Sequence, residues 1–196
     1  MALPLDTIRA TADRVAASHG LEVVDLEFTG GGKHRALRIF VEKNAAGRAA
    51  LAQHAETLPD GVPVELLSGV THQDCEHFAR DFGTVLDVED LVPGAEYTLE
   101  VSSPGLERRL RGPADYERFQ GSLLKLQTFA AVAPAGERPE AANRHFTGRL
   151  SAFDGRHLTI DLGAVKQKGK AKKSLTAQTV TLDLANIEKA NLVPEI

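Results

Sequence analysis

Apolar residues near the start of the chain recur at helical spacing: Leu5, Ile8, Ala12, Val15 and Ala16, with His19 on the same face. Pro4 suits a first helical turn and Gly20 suits its end, so the pattern predicts one helix before residue 20. The period then changes to two. In residues 21–28, Val24, Leu26 and Phe28 share one face, and in 36–42 Leu37, Ile39 and Val41 do the same. The glycine run at 30–32 separates them, which predicts a hairpin with a glycine loop. Residues 44–69 hold much Ala, Gly and Pro and little periodicity; they read as a long excursion with a short helix near 49–56. A second amphipathic helix is signalled by Cys75, Phe78, Ala79, Phe82, Val85 and Leu86. Thr71 and Asp74 at its start form a capping pair, the hydroxyl accepting from backbone N–H groups and the carboxylate favoured in the first turn. After the turn at Pro93-Gly94, Tyr97, Leu99 and Val101 alternate as a third strand.

The first half is thus predicted as helix–strand–strand–helix–strand, an α/β domain over residues 1–110 with two helices on one face of a three-stranded sheet. Beyond it the pattern turns to short strands. Leu124, Leu126 and Thr128 share a face, as do Phe146, Gly148, Leu150 and Ala152. Asp154-Gly155 is a tight-hairpin signal, since both residues tolerate positive φ, and Leu158, Ile160 and Leu162 answer it on the returning strand. Val180 and Leu182 make another strand, and a helical turn over 184–189 precedes a last one at 190–193. Short strands with one helical turn predict a small SH3-like β-barrel over 111–196. The fold class expected for the chain is α+β.

Composition changes this picture little, and charge changes it more. Of the 196 residues, 42% are apolar and 26% charged, a globular balance. A single cysteine, Cys75, excludes an intrachain disulfide and points to a reducing compartment. No apolar run approaches the roughly 18 residues of a membrane span, and the N-terminus lacks a secretory pattern, so the expected location is cytoplasmic. The net charge of −4 is unevenly spread: residues 1–110 carry 10 Lys and Arg against 18 Asp and Glu, residues 111–196 carry 13 against 9. An acidic half and a basic half suit partners of opposite charge.

Candidate chemistry is sparse. Gly30-Gly31-Gly32-Lys33 invites a phosphate-loop reading, but that loop needs glycine where Glu27 stands and Ser or Thr where His34 stands. His72, Cys75, Glu76 and His77 lie close on one helix, yet Cys75 belongs to the apolar stripe and no second ligand cluster accompanies them; no metal is expected. Ser102 and Ser103 lack a nucleophile elbow and read as turn formers. No catalytic residue and no cofactor is expected. The sharpest charge run is Lys166, Lys168, Lys170, Lys172 and Lys173, interleaved with Gly169 and Ala171. It suits phosphate contacts without base stacking, since no aromatic lies within it; the plainer reading is a solvated loop.

Residues 97–110 join the two halves. Here a strand passes through Ser102-Ser103-Pro104-Gly105, a conformationally restricted turn, into the basic stretch Arg108, Arg109 and Arg111. The stretch from Leu99 to Leu110 resembles the signature of the bacterial ribosome maturation factor RimP family. The family has Asp at the position of Glu107 and Pro at that of Arg109. Residues 69–75, 86–90, 146–150 and 187–194 are similar to it as well.

The resemblance implies an α/β N-terminal domain, an SH3-like C-terminal barrel and a non-catalytic role in maturing the small ribosomal subunit. It implies as partners the immature small subunit, its ribosomal protein of the decoding region (the twelfth in standard naming) and nearby rRNA. A monomer without membrane association is expected. The joint is assigned to Ser102, Ser103, Pro104 and Gly105, and candidate contacts to Arg108, Arg109, Arg111 and the five lysines of 166–173. A general RNA-binding module is the main rival reading, and an enzyme acting on RNA or a small metabolite the second. If the lysine run meets phosphate, neutralising it flattens the salt dependence of RNA binding; unchanged affinity and slope make it a solvated loop.

Overall fold

The structure, a computed structural model, describes residues 3–30, 34–53, 68–164 and 179–195. It divides into two compact units, Met1–Gly105 and Leu106–Ile196. The division falls five residues before the boundary expected after Leu110. Its cause is a short strand at Arg109–Leu110 that pairs with residues Asn191 and Ala190 of the second unit.

The first unit opens with helix α1 (Leu5–Ser18), whose Ile8, Ala12, Val15 and Ala16 are buried. Strands β1 (Leu21–Thr29) and β2 (Arg35–Lys43) follow as an antiparallel pair. Their register slips once: Val23 faces Val41, but Asp25 faces Phe40. Val24 is therefore the extra residue of a β-bulge, which reverses which parity points inward. Leu21 and Val23 before it, and Leu26 and Phe28 after it, pack on the same core. The expected face of Val24, Leu26 and Phe28 is corrected accordingly, because alternation alone carries no sign of a bulge.

Helix α2 (Ala45–Ala52) starts four residues earlier than the helix expected near 49–56, and residues 54–67 lie outside the described residues. Asn44 sets the start, its side-chain oxygen accepting from the Gly47 amide at 2.9 Å. The helix buries none of its residues. It is held by polar contacts instead: the Asn44 amide donates to the Gly20 carbonyl, and Arg48 donates to Glu22 at 2.9 Å. Glu22 lies opposite Glu42 in register. Burial, with the Glu42 carboxyl beside it, raises the Glu22 pKa despite Arg48.

Helix α3 (His72–Val88) begins with the expected capping box: Thr71 Oγ1 accepts from the Asp74 amide and Asp74 accepts from the Thr71 amide. Lys43 Nζ adds an ion pair to Asp74 at 2.8 Å, tying the start of α3 to the end of β2. Burial favours the neutral Asp74 carboxyl, but the Lys43 and Thr71 donors outweigh it and hold its pKa below the usual value. Phe78, Phe82 and Leu86 are buried, and the two rings stack with centroids 5.3 Å apart. Strand β3 (Tyr97–Ser102) then pairs with β2 in parallel, from Arg35 opposite Tyr97 to Phe40 opposite Ser102. The sheet order is β1-β2-β3, with α1 and α3 sharing one core against it.

The second unit is a six-stranded sheet in the order β4-β9-β5-β6-β7-β8, antiparallel throughout. Its strands are β4 (Arg109–Leu110), β5 (Leu123–Val132), β6 (Asn143–Phe153), β7 (His157–Asp161), β8 (Thr179–Asp183) and β9 (Ile187–Leu192). Helix α4 (Pro113–Arg118), which the apolar pattern does not predict, links β4 to β5. Its six residues are too few to display a helical period. The buried side comprises Leu124, Leu126 and Thr128 of β5, Phe146 and Leu150 of β6, Leu158 and Ile160 of β7, and Val180 and Leu182 of β8. Among the described residues the sheet is open, with β4 and β8 as its edges. The expected helical turn over 184–189 is a 3-10 turn at Leu184–Asn186, after which β9 begins.

The Asp154-Gly155 hairpin forms, but only Gly155 takes positive φ, at 93°. Asp154 acts through its side chain, accepting from the amides of Arg156 and His157 at 2.8 and 2.6 Å. Those amides, with the His157 ring, hold its pKa down at about 2. The folded state is thus favoured by this group above the unfolded value, and the advantage is lost as pH falls towards about 2.

Two substitutions probe the first unit. Phe82→Ala is expected to lower unfolding free energy by about 3–5 kcal/mol. Thr71→Ala is expected to lower it by about 1 kcal/mol through the lost cap. Urea denaturation of each variant measures both.

Candidate functional site

The segment that carries the resemblance is built from both units. Its first part is the end of β3, where Ser102 is the last residue in register with β2. Ser102 Oγ donates to the Ser103 carbonyl at 3.3 Å, a local turn contact. Pro104 follows, and Gly105 takes φ 71°, the left-handed region where a side chain is strained. Among the described residues, no heavy atom beyond its two chain neighbours lies within 4 Å of where a Gly105 Cβ would stand, so its requirement is backbone conformation rather than space. The boundary between the two units falls directly after it.

The second part runs into the second unit, where the three arginines diverge. Arg108 is 5% exposed. Its Nη2 donates to Asp115 Oδ1 at 2.7 Å, its Nη1 donates to the Arg109 carbonyl at 3.1 Å, and its guanidinium lies 5.0 Å from the Phe119 ring centroid. Asp115 stands in the first turn of α4 and also accepts from the Arg111 amide at 2.8 Å. The guanidinium expected as a surface contact is therefore turned inward, where it holds the segment before β4 to α4. A buried charge needs such a partner, and the partner fixes its direction. Arg109 is half-buried in β4, opposite Asn191, and Arg111 is exposed. Lys166, Lys168, Lys170, Lys172 and Lys173 lie outside the described residues.

Tyr116 of α4 sits behind this arrangement, 2% exposed, with its ring 5.6 Å from Phe153. Burial, and secondarily the Asp115 carboxylate, pushes its phenol up to about 12.

Elsewhere the geometry is structural. Cys75 is half-buried against the core of the first unit, and burial followed by the Asp74 charge raises its thiol pKa. Among the described residues no group of three or more His, Cys, Asp and Glu side chains is placed to hold a metal. None of the described helices is long and apolar enough to cross a membrane. At the observed division, residues 1–105 carry 8 Lys and Arg against 17 Asp and Glu, and residues 106–196 carry 15 against 10. The contrast in charge is sharper than at residue 110. Two further cations, Lys125 and Lys189, outside any charge run, stand on the solvent side of β5 and β9. Their signal was period-two alternation of polar residues, Lys125 with Gln127 and Lys189 with Asn191.

Residues 61–107 match the family model of the RimP N-terminal domain. The match takes in α3, β3 and the turn at 102–105.

Replacing Arg108 with Met is expected to destabilise the second unit by about 3–5 kcal/mol, because it leaves Asp115 without its buried partner. Denaturant unfolding of the variant checks this. The tyrosine titration has a defined sign. A raised phenol pKa favours the folded state fully below the unfolded value of about 10, and the advantage declines as pH rises to about 12. Ultraviolet titration of the native protein should show delayed tyrosinate formation, since burial also raises the pKa of Tyr97. Ionisation of both residues at the free-tyrosine value would contradict the packing of Tyr116.

Proposed function

We propose, from the membership of the RimP family of ribosome maturation factors that the match over residues 61–107 supports, that this protein assists maturation of the small ribosomal subunit. It acts by binding a ribosomal protein and rRNA, without catalysing a reaction. The observation that carries the reading is the match itself, lying over the capped helix α3, strand β3 and the turn at 102–105. The charge distribution supports a division of labour. The acidic first unit suits a basic ribosomal protein, the one of the decoding region that is twelfth in standard naming. The basic second unit suits rRNA, with the lysines of 166–173 meeting phosphates. Arg109 and Arg111 belong to the proposed contact set; Arg108 is left out of it because its guanidinium is buried.

The SH3-like reading of the second unit belongs to this proposal. Its support is the run of short antiparallel strands and the 3-10 turn before β9. A monomer acting in the cytoplasm is part of the same reading.

Sedimentation of cell extract on a sucrose gradient tests the function. The protein is expected with immature small subunits and not with mature ribosomes. Comigration with mature ribosomes only, or with no ribosomal particle, overturns the reading. A general RNA-binding module would instead bind unrelated RNAs equally well and show no enrichment on immature particles.

A further inference from the structure

The solvent side of the second sheet carries two polar rows set by strand register. Arg109 of β4, Asn191 of β9, Lys125 of β5 and Thr147 of β6 stand in one row. Lys189 of β9, Gln127 of β5 and His145 of β6 stand in the next. The rows are polar because their neighbours in each strand point the other way: Leu124, Leu126, Phe146 and Ala190 are buried. A cavity of about 530 Å³ opens between the rows and the chain segment Leu192-Val193-Pro194. Its size is within the range of small-ligand sites, about 300–1,000 Å³. The apolar segment is fixed in place, since the Leu192 amide donates to the Arg108 carbonyl at 2.9 Å and the Val193 amide to the Leu123 carbonyl at 2.8 Å.

Charge distinguishes the residues of this face. Arg144 and Arg149 are already paired, with Glu188 at 2.8 Å and with Glu195 at 3.0 Å. Glu188 also accepts from Gln127 Nε2 at 3.0 Å, so its Oε2 is shared by two donors. Lys125 and Lys189 are exposed, line the cavity, and make no ion pair among the described residues. A single carboxylate, Glu107, joins them in the lining. The two lysines are diagonal neighbours on adjacent strands, a separation of about 7–8 Å in a sheet. Gln127 and Asn191 each commit the amide nitrogen, to Glu188 and to the Glu107 carbonyl respectively, which leaves each amide oxygen as an acceptor.

We propose that this cavity binds a short stretch of single-stranded RNA, with Lys125 and Lys189 on successive phosphates and one base against Leu192-Val193-Pro194. This deepens the proposed function and rests on it for the presence of RNA. Two cations at that spacing, without an ion pair among the described residues, suit a polyanionic backbone. The apolar wall and the two amide acceptors suit a planar base carrying an amino donor. No Phe, Tyr or Trp is among the described residues that line the cavity and His145 is its single aromatic ring, so phosphate contacts dominate and sequence preference is weak.

The test uses the full chain and a short, labelled, mixed-sequence single-stranded RNA, read by fluorescence anisotropy over a range of salt concentrations. Lys125→Gln with Lys189→Gln is expected to reduce the log–log salt slope by about 1.4, the loss of two single-strand phosphate contacts. At about 0.1 M salt that change amounts to roughly a tenfold or greater loss of affinity. Both lysines are exposed, so an unchanged thermal midpoint accompanies the loss. Unchanged affinity and slope in the double variant overturn the proposal, as does failure of the parent protein to bind the RNA. Polyglutamate is the second probe: if the double substitution abolishes its binding and spares that of RNA, the cavity is an acidic-peptide site and the proposal falls. Sedimentation of the parent protein separates this inference from the function. RNA binding that depends on both lysines, without association with immature subunits, defeats only the functional reading. Association with unchanged RNA binding defeats only the cavity.

Discussion

The parallel pairing of β3 with β2 constrains the whole first unit. Two parallel neighbours cannot be joined by a tight turn, because the chain must return to the starting end of the sheet before the second strand begins. Here the return occupies everything between Lys43 and Tyr97, and α3 is its largest regular element among the described residues. The helix must start where β2 ends, and the structure shows how it does so: Lys43 at the end of β2 reaches Asp74, which closes the cap with Thr71. The same helix supplies Phe78, Phe82 and Leu86 to the core shared with α1. Cap, crossover and core therefore depend on one another, and β3 delivers the chain to the turn at 102–105 only when all three are in place.

The second unit is organised by a different interaction, the buried pair of Arg108 and Asp115. A guanidinium removed from water needs both an anion and further acceptors, and Arg108 has Asp115, the Arg109 carbonyl and the face of Phe119. These contacts bring the segment after Gly105 against α4 and set β4 beside β9. The motif that reads as a linker is consequently half turn and half strand, and its second half belongs to the unit that follows.

In the proposed role, function resides in surfaces. One unit is acidic and the other basic, and the basic one presents lysines without an ion pair among the described residues, on a sheet face whose arginines are mostly neutralised by neighbouring carboxylates. The proposed role, binding without catalysis, needs contacts that form and release, and solvent-exposed lysines that met phosphate would give affinity that depends on salt. Buried pairs such as Arg108 with Asp115 hold the framework on which those surfaces are displayed.

The period of apolar residues determined by itself that α1, β1, β2, α3 and β3 exist, and in which order. The capping pair Thr71 and Asp74 was legible because a cap is local: both partners lie within one turn. The turn at 102–105 was legible for the same reason. Tertiary structure alone decided the bulge at Val24, since an extra residue in a strand leaves alternation intact on either side and shows itself only against a partner. It decided the inward course of Arg108, whose anion stands seven positions away in a helix too short to announce itself. It also assembled Lys125 and Lys189 on one face from strands far apart in the chain, because which strands neighbour one another is a property of the folded sheet and not of any segment within it.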